Sequence, residues 1–484
     1  MSQAESFDPY ALPANAIVEP PTSLWSALRN IGPGIILAGS IVGSGELILT
    51  TRLGARVGFA FLWLILLSCV IKVFVQIELG RFAISSGKPT LGGLNELPGP
   101  RFGAHWLCWW WFVMLLLTVS QLGGMAGLVG QALDLAFPAV SDGLTSWTSA
   151  WWPALSQAIE ERGSLPWAAL TAAVCVALLL SGGYKRIEII TTFLVVSVTL
   201  ITVACTVALP ATGFPIPFRK VAEGMVVQLP VMPEAIAEAF AVFGITGVGA
   251  SELYQYPYWC LEKGYARFAG ARSEGDDWVR RAKGWIRVMY LDAWASAIVF
   301  TLATLAFYFM GATVLHGQGL VPEKERMIAT LSEMYKPAFG DWTIVAFLIG
   351  AWAVLFKTLY VSCASHSRLT SDFLNLGRFV TFETAGERGR MIRRLCVFYP
   401  CLAFLLFVAF KDPRLMVQFG ALAQAATLPI ISGVTVYFRY RRTDRRLAPS
   451  KLSDACLWLA FVSISVVACY AMYETLGHLV PRSK

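Results

Sequence analysis

The chain has 484 residues, 56% of them apolar and only 14% charged, and its mean hydropathy is +0.60. Soluble domains carry about 25% charged residues, so this balance excludes a water-soluble enzyme and a disordered chain and implies a polytopic membrane protein. The net charge of +8 is no argument for a nucleic-acid partner, because the basic residues gather in three connectors, Lys263 to Arg287, Arg368 to Arg394 and Arg439 to Lys451, where topology and anionic lipid account for them.

In chain order, residues 1–30 come first. They begin "MSQAESFDPYALPANAIVEPPTS", a polar, Pro-bearing, acidic stretch without the pattern of a cleavable signal, and read as a cytosolic tail. Apolar windows of about 20 residues, enough to cross about 30 Å of hydrocarbon, then recur eleven times: at 31–55, 58–83, 105–136, 166–182, 187–209, 234–258, 288–311, 342–364, 395–410, 413–438 and 455–474. Gly/Pro-bearing connectors such as "SSGKPTLGGLNELPGPRFG" and "ATGFPIPFRKVAEG" separate them. The stretch from Pro138 to Pro166, with "SWTSAWWPALSQAIEERG", suits a short interfacial helix. With the N-terminus cytosolic, the internal connectors hold about 23 Lys/Arg against roughly 12 outside, the asymmetry the positive-inside rule requires. The odd number of spans places the C-terminus outside. The expected fold is all-α, a single membrane domain of about eleven transmembrane helices.

Two phrases stand out, "IVGSGELILT" in span one and "GVGASELYQY" in span six. Both read Val-Gly, two small residues, then Glu-Leu, and they fall at matching places in two groups of five spans. An odd repeat length enters the second group from the opposite side. That is the plan of an inverted repeat, residues 31–210 (helices one to five) against 233–438 (helices six to ten), with 454–476 as an additional helix. Each interior Gly costs a helix about 1 kcal/mol relative to Ala, so Gly39, Gly43, Ser44 and Gly45, and likewise Gly244, Gly247, Gly249, Ala250 and Ser251, make unwinding inexpensive. Unwound backbone survives in a bilayer only where protein or a water-filled cavity satisfies it. The competing reading is close helix packing through small residues. Glu46 and Glu252 favour a cavity, since a mid-membrane carboxyl needs a partner, an ion or water; capping of their own half-helices is the structural alternative.

Lys72 on span two and Lys357 on span eight read as ion-pair partners or as snorkelling side chains, with contact to a substrate as the second reading; Glu78 and Arg81 read as structural. The ten cysteines lie mostly within apolar spans and form no CxxC pair, and only four histidines occur, which argues against a disulfide framework or a zinc site. "GITGVGAS" has no βαβ unit around it, and "GSGE" lacks the Lys-Ser/Thr of a phosphate loop. No cofactor is expected, and no soluble stretch is long enough for a nucleotide-binding domain.

The stretches "NIGPGIILAGSIVGSGE", "LGARVGFAFLWLILLSCVIKVFVQIELGRFAISSGK", "GGYKRIEII", span six and "QFGALAQAATLPIISG" resemble the Nramp family of metal-ion transporters, in particular its divergent bacterial members, over most of residues 30–440. The resemblance implies a LeuT-like fold with broken helices one and six, alternating access, and residence in a bacterial inner membrane. The family's Asp-Pro-Gly-Asn is replaced by Gly43, Ser44, Gly45 and Glu46, and its Met-Pro-His by Gly249, Ala250 and Ser251, with Glu252 next; the middle of span three carries no acid. Losing the thioether and keeping carboxylates shifts preference toward hard ions, and the small residues predict a wider site suited to a partly hydrated ion. The implied binding set is Glu46, Glu252, Ser44, Ser251, Gly43 and Gly249, with Gln121, Gln424, Lys357 and Lys72 as further polar contacts.

The leading expectation is therefore a secondary transporter of a hard divalent cation such as Mg2+ or Mn2+, with protons as candidate coupling ion. The alternative cargo is a small organic solute (an amine, amino acid or carboxylate) walled by Tyr254, Tyr256, Tyr258 and Trp259, which otherwise form an interfacial belt. A sensor or scaffold is a third class, unsupported by any appended domain. Membrane lipids are the expected surroundings, with neither nucleic acid nor an obligatory protein partner.

Overall fold

The computed structural model describes residues 10, 12–182, 184–227, 233–323, 326–334, 343–410 and 412–479. The first nine tail positions, the connector around 228–232 and the expected start of span eight at 342 lie outside the described residues.

Among those residues ten helices are long and apolar enough to cross a membrane, and eleven if the bent pair Pro33–Ile41 and Gly45–Val57 is one span. Span one is this pair, bent by 41°. Pro33 opens it at a position where a missing N–H costs nothing. Spans two to five are Leu62–Ser86, Trp106–Ala136, Ser164–Ser181 and Tyr184–Ala208. Span six is also in two pieces, Pro233–Ile245 and Ala250–Lys263. Spans seven to eleven are Asp276–Met310, Thr343–Leu376, Ala385–Ala409, Pro413–Arg441 and Lys451–Leu479.

Several helices outrun the apolar windows. Span seven begins at Asp276 rather than 288, span nine at Ala385 rather than 395, and span eight ends at Leu376 rather than 364. Hydropathy marks only the part in hydrocarbon, whereas charged turns continue the helix beyond it; Asp276 and Asp277 in the first turn of span seven suit the helix dipole there. The Trp-rich connector forms two short helices rather than one, Pro138–Ser149 and Pro153–Glu161, with Pro153 starting the second and Trp147, Trp151 and Trp152 exposed.

The broken helices stand at the centre. The apolar windows of spans six and eight are each 83% buried, against 22% for span eleven. Spans five, nine and eleven therefore form the rim, where exposed Val207, Leu405, Leu459 and Val466 present apolar surface suited to lipid. Glu78 and Arg81 are structural as expected: Arg81 Nε lies 2.9 Å from Glu78 Oε2 and its Nη1 donates to Leu447 O at 2.7 Å. All ten cysteines are free.

Candidate functional site

Both repeats open with a helix that stops inside the protein. In span one the backbone leaves helical geometry at Val42 (ψ 79°) and resumes as a π-helical turn at Gly45–Thr50. Gly43 lies where span eight crosses, and a Cβ there would sit 2.1 Å from Thr358 Oγ1. Unwinding and close packing thus coincide rather than compete. In span six, Gly247 takes φ +65°, a conformation costly for any residue with a Cβ, and Gly249 starts the second half.

The polar side chains between the breaks form a continuous set. Glu252, in the first turn of Ala250–Lys263, accepts a hydrogen bond from Ser40 Oγ at 2.8 Å. Gln424 of span ten accepts from the Ser251 N–H at 3.1 Å and donates through Nε2 to Gln121 Oε1 of span three at 3.2 Å. Gln121 Nε2 donates in turn to Ser44 Oγ at 3.3 Å. Ser44, Gln121, Gln424 and Ser251 thus tie four spans around one cavity, which is also lined by Glu252, Ser40, Thr358, Ser362, His366 and Met125. Its volume is about 20 Å3, room for one water-sized occupant. The wider site expected from Gly249, Ala250 and Ser251 is not formed. A Cβ on Gly249 would meet Glu252 Oε2 at 2.5 Å and Gln424 Oε1 at 2.6 Å, so these polar groups fill the space that the small residues leave.

Glu46 takes a different position. It is fully buried, borders the break rather than the cavity, and accepts the Gly43 N–H at 3.2 Å and the Thr304 hydroxyl at 3.5 Å. Its hydrogen bond from the Gly43 N–H has the form of a cap on its own half-helix.

Among the described residues, neither Lys72 nor Lys357 snorkels or pairs with an acid. Lys357 is fully buried and donates to Gly39 O at 2.8 Å and to Val42 O. Lys72, equally buried, donates to Thr246 O at 2.9 Å and to Phe243 O. Both ammonium groups thus take the carbonyls that unwinding frees. Tyr254, Tyr256, Tyr258 and Trp259 neither line the cavity nor form a belt; they pack in the core, and Tyr256 Oη donates to Asp292 Oδ2 at 3.3 Å.

Both ends of the cavity are bridged by charge. At one end Arg52 of span one pairs with Glu238 of span six, and Arg56 and Glu323 extend the network at 3.3 and 3.2 Å. At the other end Arg368 pairs with Glu262, and Arg388 Nε lies 2.8 Å from Asp372 Oδ1, which also engages Tyr10 of the tail through its other oxygen.

Some site residues escape a reading by motif. Thr358, Ser362 and His366 fall at four-residue spacing on span eight, and Ser40 and Ser44 do so on span one, so a polar stripe in an apolar helix was the available signal. Asp292 of span seven accepts the Gly32 and Gly34 N–H groups at 2.8 and 2.6 Å and anchors the start of span one; an isolated acid in an apolar span was its only trace. Among the described residues no group of three or more His, Cys, Asp or Glu is placed to hold a metal. The donors at the cavity are instead mostly hydroxyls and amides around one carboxylate, with the His366 imidazole and the Met125 thioether also on its wall.

Two inverted five-helix repeats, each opening on a helix broken beside a closed polar cavity, define a LeuT-like membrane transporter. The family model described as "Natural resistance-associated macrophage protein-like" (Nramp) matches residues 34–474, and the chain belongs to that family. It is a transporter and not an enzyme. Among solved structures, a single-site mutant of the Eremococcus coleocola manganese transporter is 13% identical, with a TM-score of 0.68 over 98% of this chain and 92% of that one. MhsT in complex with L-phenylalanine (15% identity, TM-score 0.54, 94% and 99% covered) and Mhp1, a nucleobase-cation-symport-1 family transporter (13%, 0.55, 93% and 94%), share the fold. No curated protein matches the sequence.

Proposed function

We propose that this protein is a secondary transporter that moves a hard divalent cation by alternating access, with Glu252 as its charged ligand. Ser40, Ser44, Ser251, Gln121 and Gln424 supply neutral oxygens, Gly43 and Gly249 keep the breaks open to it, and Glu46 shapes the first break. The carrying observation is the donor set: a buried carboxylate ringed by hydroxyl and amide oxygens between two helix breaks. Such oxygens suit Mg2+, Ca2+ or Mn2+ rather than soft metals; Met125 is the soft donor at the margin. A cavity of about 20 Å3 leaves little room for retained water, which ranks Mn2+ above the reluctantly dehydrated Mg2+. The same volume argues against an amino acid or other organic solute.

The repeats are residues 31–210 and 233–438, with 454–476 as the added helix. The N-terminus is cytosolic and the membrane a bacterial inner membrane. In support, residues of all three basic connectors and of the tail meet at one end of the bundle: Arg280 lies 2.6 Å from Glu19, Arg446 Nη1 donates to Glu274 O at 2.9 Å, and Arg388 donates to Tyr10. Protons are the coupling ion, taken by Glu252 when the cation leaves it without a counter-charge. The test is flux into proteoliposomes with Mn2+, Mg2+, Ca2+ and Cd2+. Saturable uptake of a hard ion that Cd2+ competes for poorly is expected. Preference for Cd2+, or uptake unaffected by Glu46→Gln together with Glu252→Gln, would end this assignment.

A further inference from the structure

The half-helices Pro33–Ile41 and Pro233–Ile245 both end within the protein, and the last carbonyls of a helix lack partners along the helix while carrying the negative end of its dipole. At the first end Lys357 Nζ donates to Gly39 O and Val42 O, and the neighbouring Thr358 hydroxyl reaches Gly39 O at 3.3 Å. At the second end Lys72 Nζ donates to Phe243 O and Thr246 O, and Ser68 Oγ reaches the same two carbonyls at 3.2 and 2.8 Å. Each end is therefore a cradle of two main-chain oxygens and one hydroxyl closed by one buried cation. Neutral donors would satisfy these carbonyls at much lower desolvation cost than a buried ammonium. Symmetry does not explain the recurrence, because Lys72 stands on the second helix of the first repeat and Lys357 on the third helix of the second. The same arrangement is built twice from non-equivalent positions.

We propose that Lys72 and Lys357 are built-in cations: each ammonium occupies an oxygen cradle that would otherwise bind a monovalent metal ion of the Na+ class. The helix breaks then keep their positive charge through the transport cycle without a co-ion from solution, and folding and transport need neither Na+ nor K+. Neither ammonium group engages the Glu252 carboxylate, because both are spent on carbonyls. This inference is independent of which cation is carried, and a failure of either leaves the other standing.

The experiment is a thermal-unfolding series on detergent-purified full-length protein in NaCl, KCl and choline chloride at equal ionic strength, with monodispersity followed by size exclusion. The unchanged protein is expected to unfold at the same temperature in all three salts. Lys357→Ala empties one cradle and Lys72→Ala the other; each is expected to be destabilised in choline and to recover by at least about 3 °C as Na+ or K+ saturates the vacated oxygens. Lys357→Met fills the space with an apolar chain and is expected to show no recovery. If both alanine variants behave alike in every salt, whether folded or aggregated, the proposal is wrong; a Na+-specific shift in the unchanged protein would overturn it equally.

Discussion

The two glutamates of the twin phrase have unequal roles, and this asymmetry is measurable. Glu252→Gln removes the carboxylate that borders the cavity while keeping its volume and an acceptor for Ser40 Oγ, now at 2.8 Å. A divalent cation about 3 Å from the centre of a carboxylate gains roughly 11 kcal/mol at an effective dielectric near 20. Desolvation offsets most of that, leaving about 2–3 kcal/mol, or roughly 30–140-fold in affinity. Glu46→Gln keeps an acceptor for the Gly43 N–H and changes no group on the cavity wall. Its expected cost in affinity is under about threefold, with the main loss in turnover as the break loses its cap. Calorimetric titration of Mn2+ into each purified variant separates the two, and uptake kinetics in proteoliposomes give the split between KM and maximal rate. Equal losses of affinity, or a larger loss for Glu46→Gln, would refute the placement of Glu252 as ligand and Glu46 as cap.

Three further outcomes are expected. Gly43→Val drives a side chain into Thr358, whose Oγ1 lies 2.1 Å from the position of even a Cβ, and abolishes uptake; Gly143→Ala, with nothing within 4 Å of the new methyl, leaves it intact, and equal uptake by both would contradict the packing argument. Glu238→Gln strips the buried Arg52 of its principal partner, costing the closed arrangement about 3–5 kcal/mol. Labelling of Ser44→Cys by an impermeant thiol reagent from that side is then faster in the Glu238→Gln background, and an unchanged rate would show that the pair is no gate. The third concerns Asp444, in the turn between spans ten and eleven. The Arg446 side chain, 3.0 Å away, and Arg272, 2.9 Å away, hold the Asp444 carboxyl down to about 2. A lowered carboxyl contributes stability that is complete above its ordinary value of about 3.9 and lost as pH falls through about 2. Screening of the exposed guanidinium groups trims the contribution to about 1 kcal/mol. Asp444→Asn is expected to lower the unfolding temperature at pH 7, with the gap closing below about pH 3; a gap independent of pH would contradict the ion-pair origin.

Much of the architecture was legible because a bilayer imposes it. Twenty apolar residues in a row have few alternatives to a crossing helix, and clustered glycines beside a carboxyl mark a break even when no single residue is diagnostic. The break at Val42–Ser44 falls inside the first phrase, and the break at Thr246–Gly249 overlaps the start of the second. Side-chain direction beside a break was not legible, because the unwound residues reset the helical period from which a face is read. Both glutamates fall in the first turn after their break, yet Glu46, in the π-helical turn Gly45–Thr50, bends back onto the Gly43 amide while Glu252, in a regular α-helical turn, borders the cavity. The lysines show a related limit: where Lys72 and Lys357 aim is decided by carbonyls about 170 and 320 residues away in the chain, which local pattern does not encode. Span eight hid its contribution in another way. Hydroxyls in membrane helices commonly bond back one turn, as Thr358 does to Val354 O at 2.9 Å, so a stripe of Thr358, Ser362 and His366 reads as neutral filling until the cavity beside it is seen.

The most direct measurement is the anomalous scattering of Mn2+ in crystals grown with that ion. One manganese peak is expected between the two breaks, about 2.2 Å from a Glu252 carboxylate oxygen and bordered by Ser44, Ser251, Gln121 and Gln424. A well-occupied peak elsewhere in the bundle with none beside Glu252, or saturable Mn2+ transport with density only at the surface, would contradict a cargo site built between the broken helices.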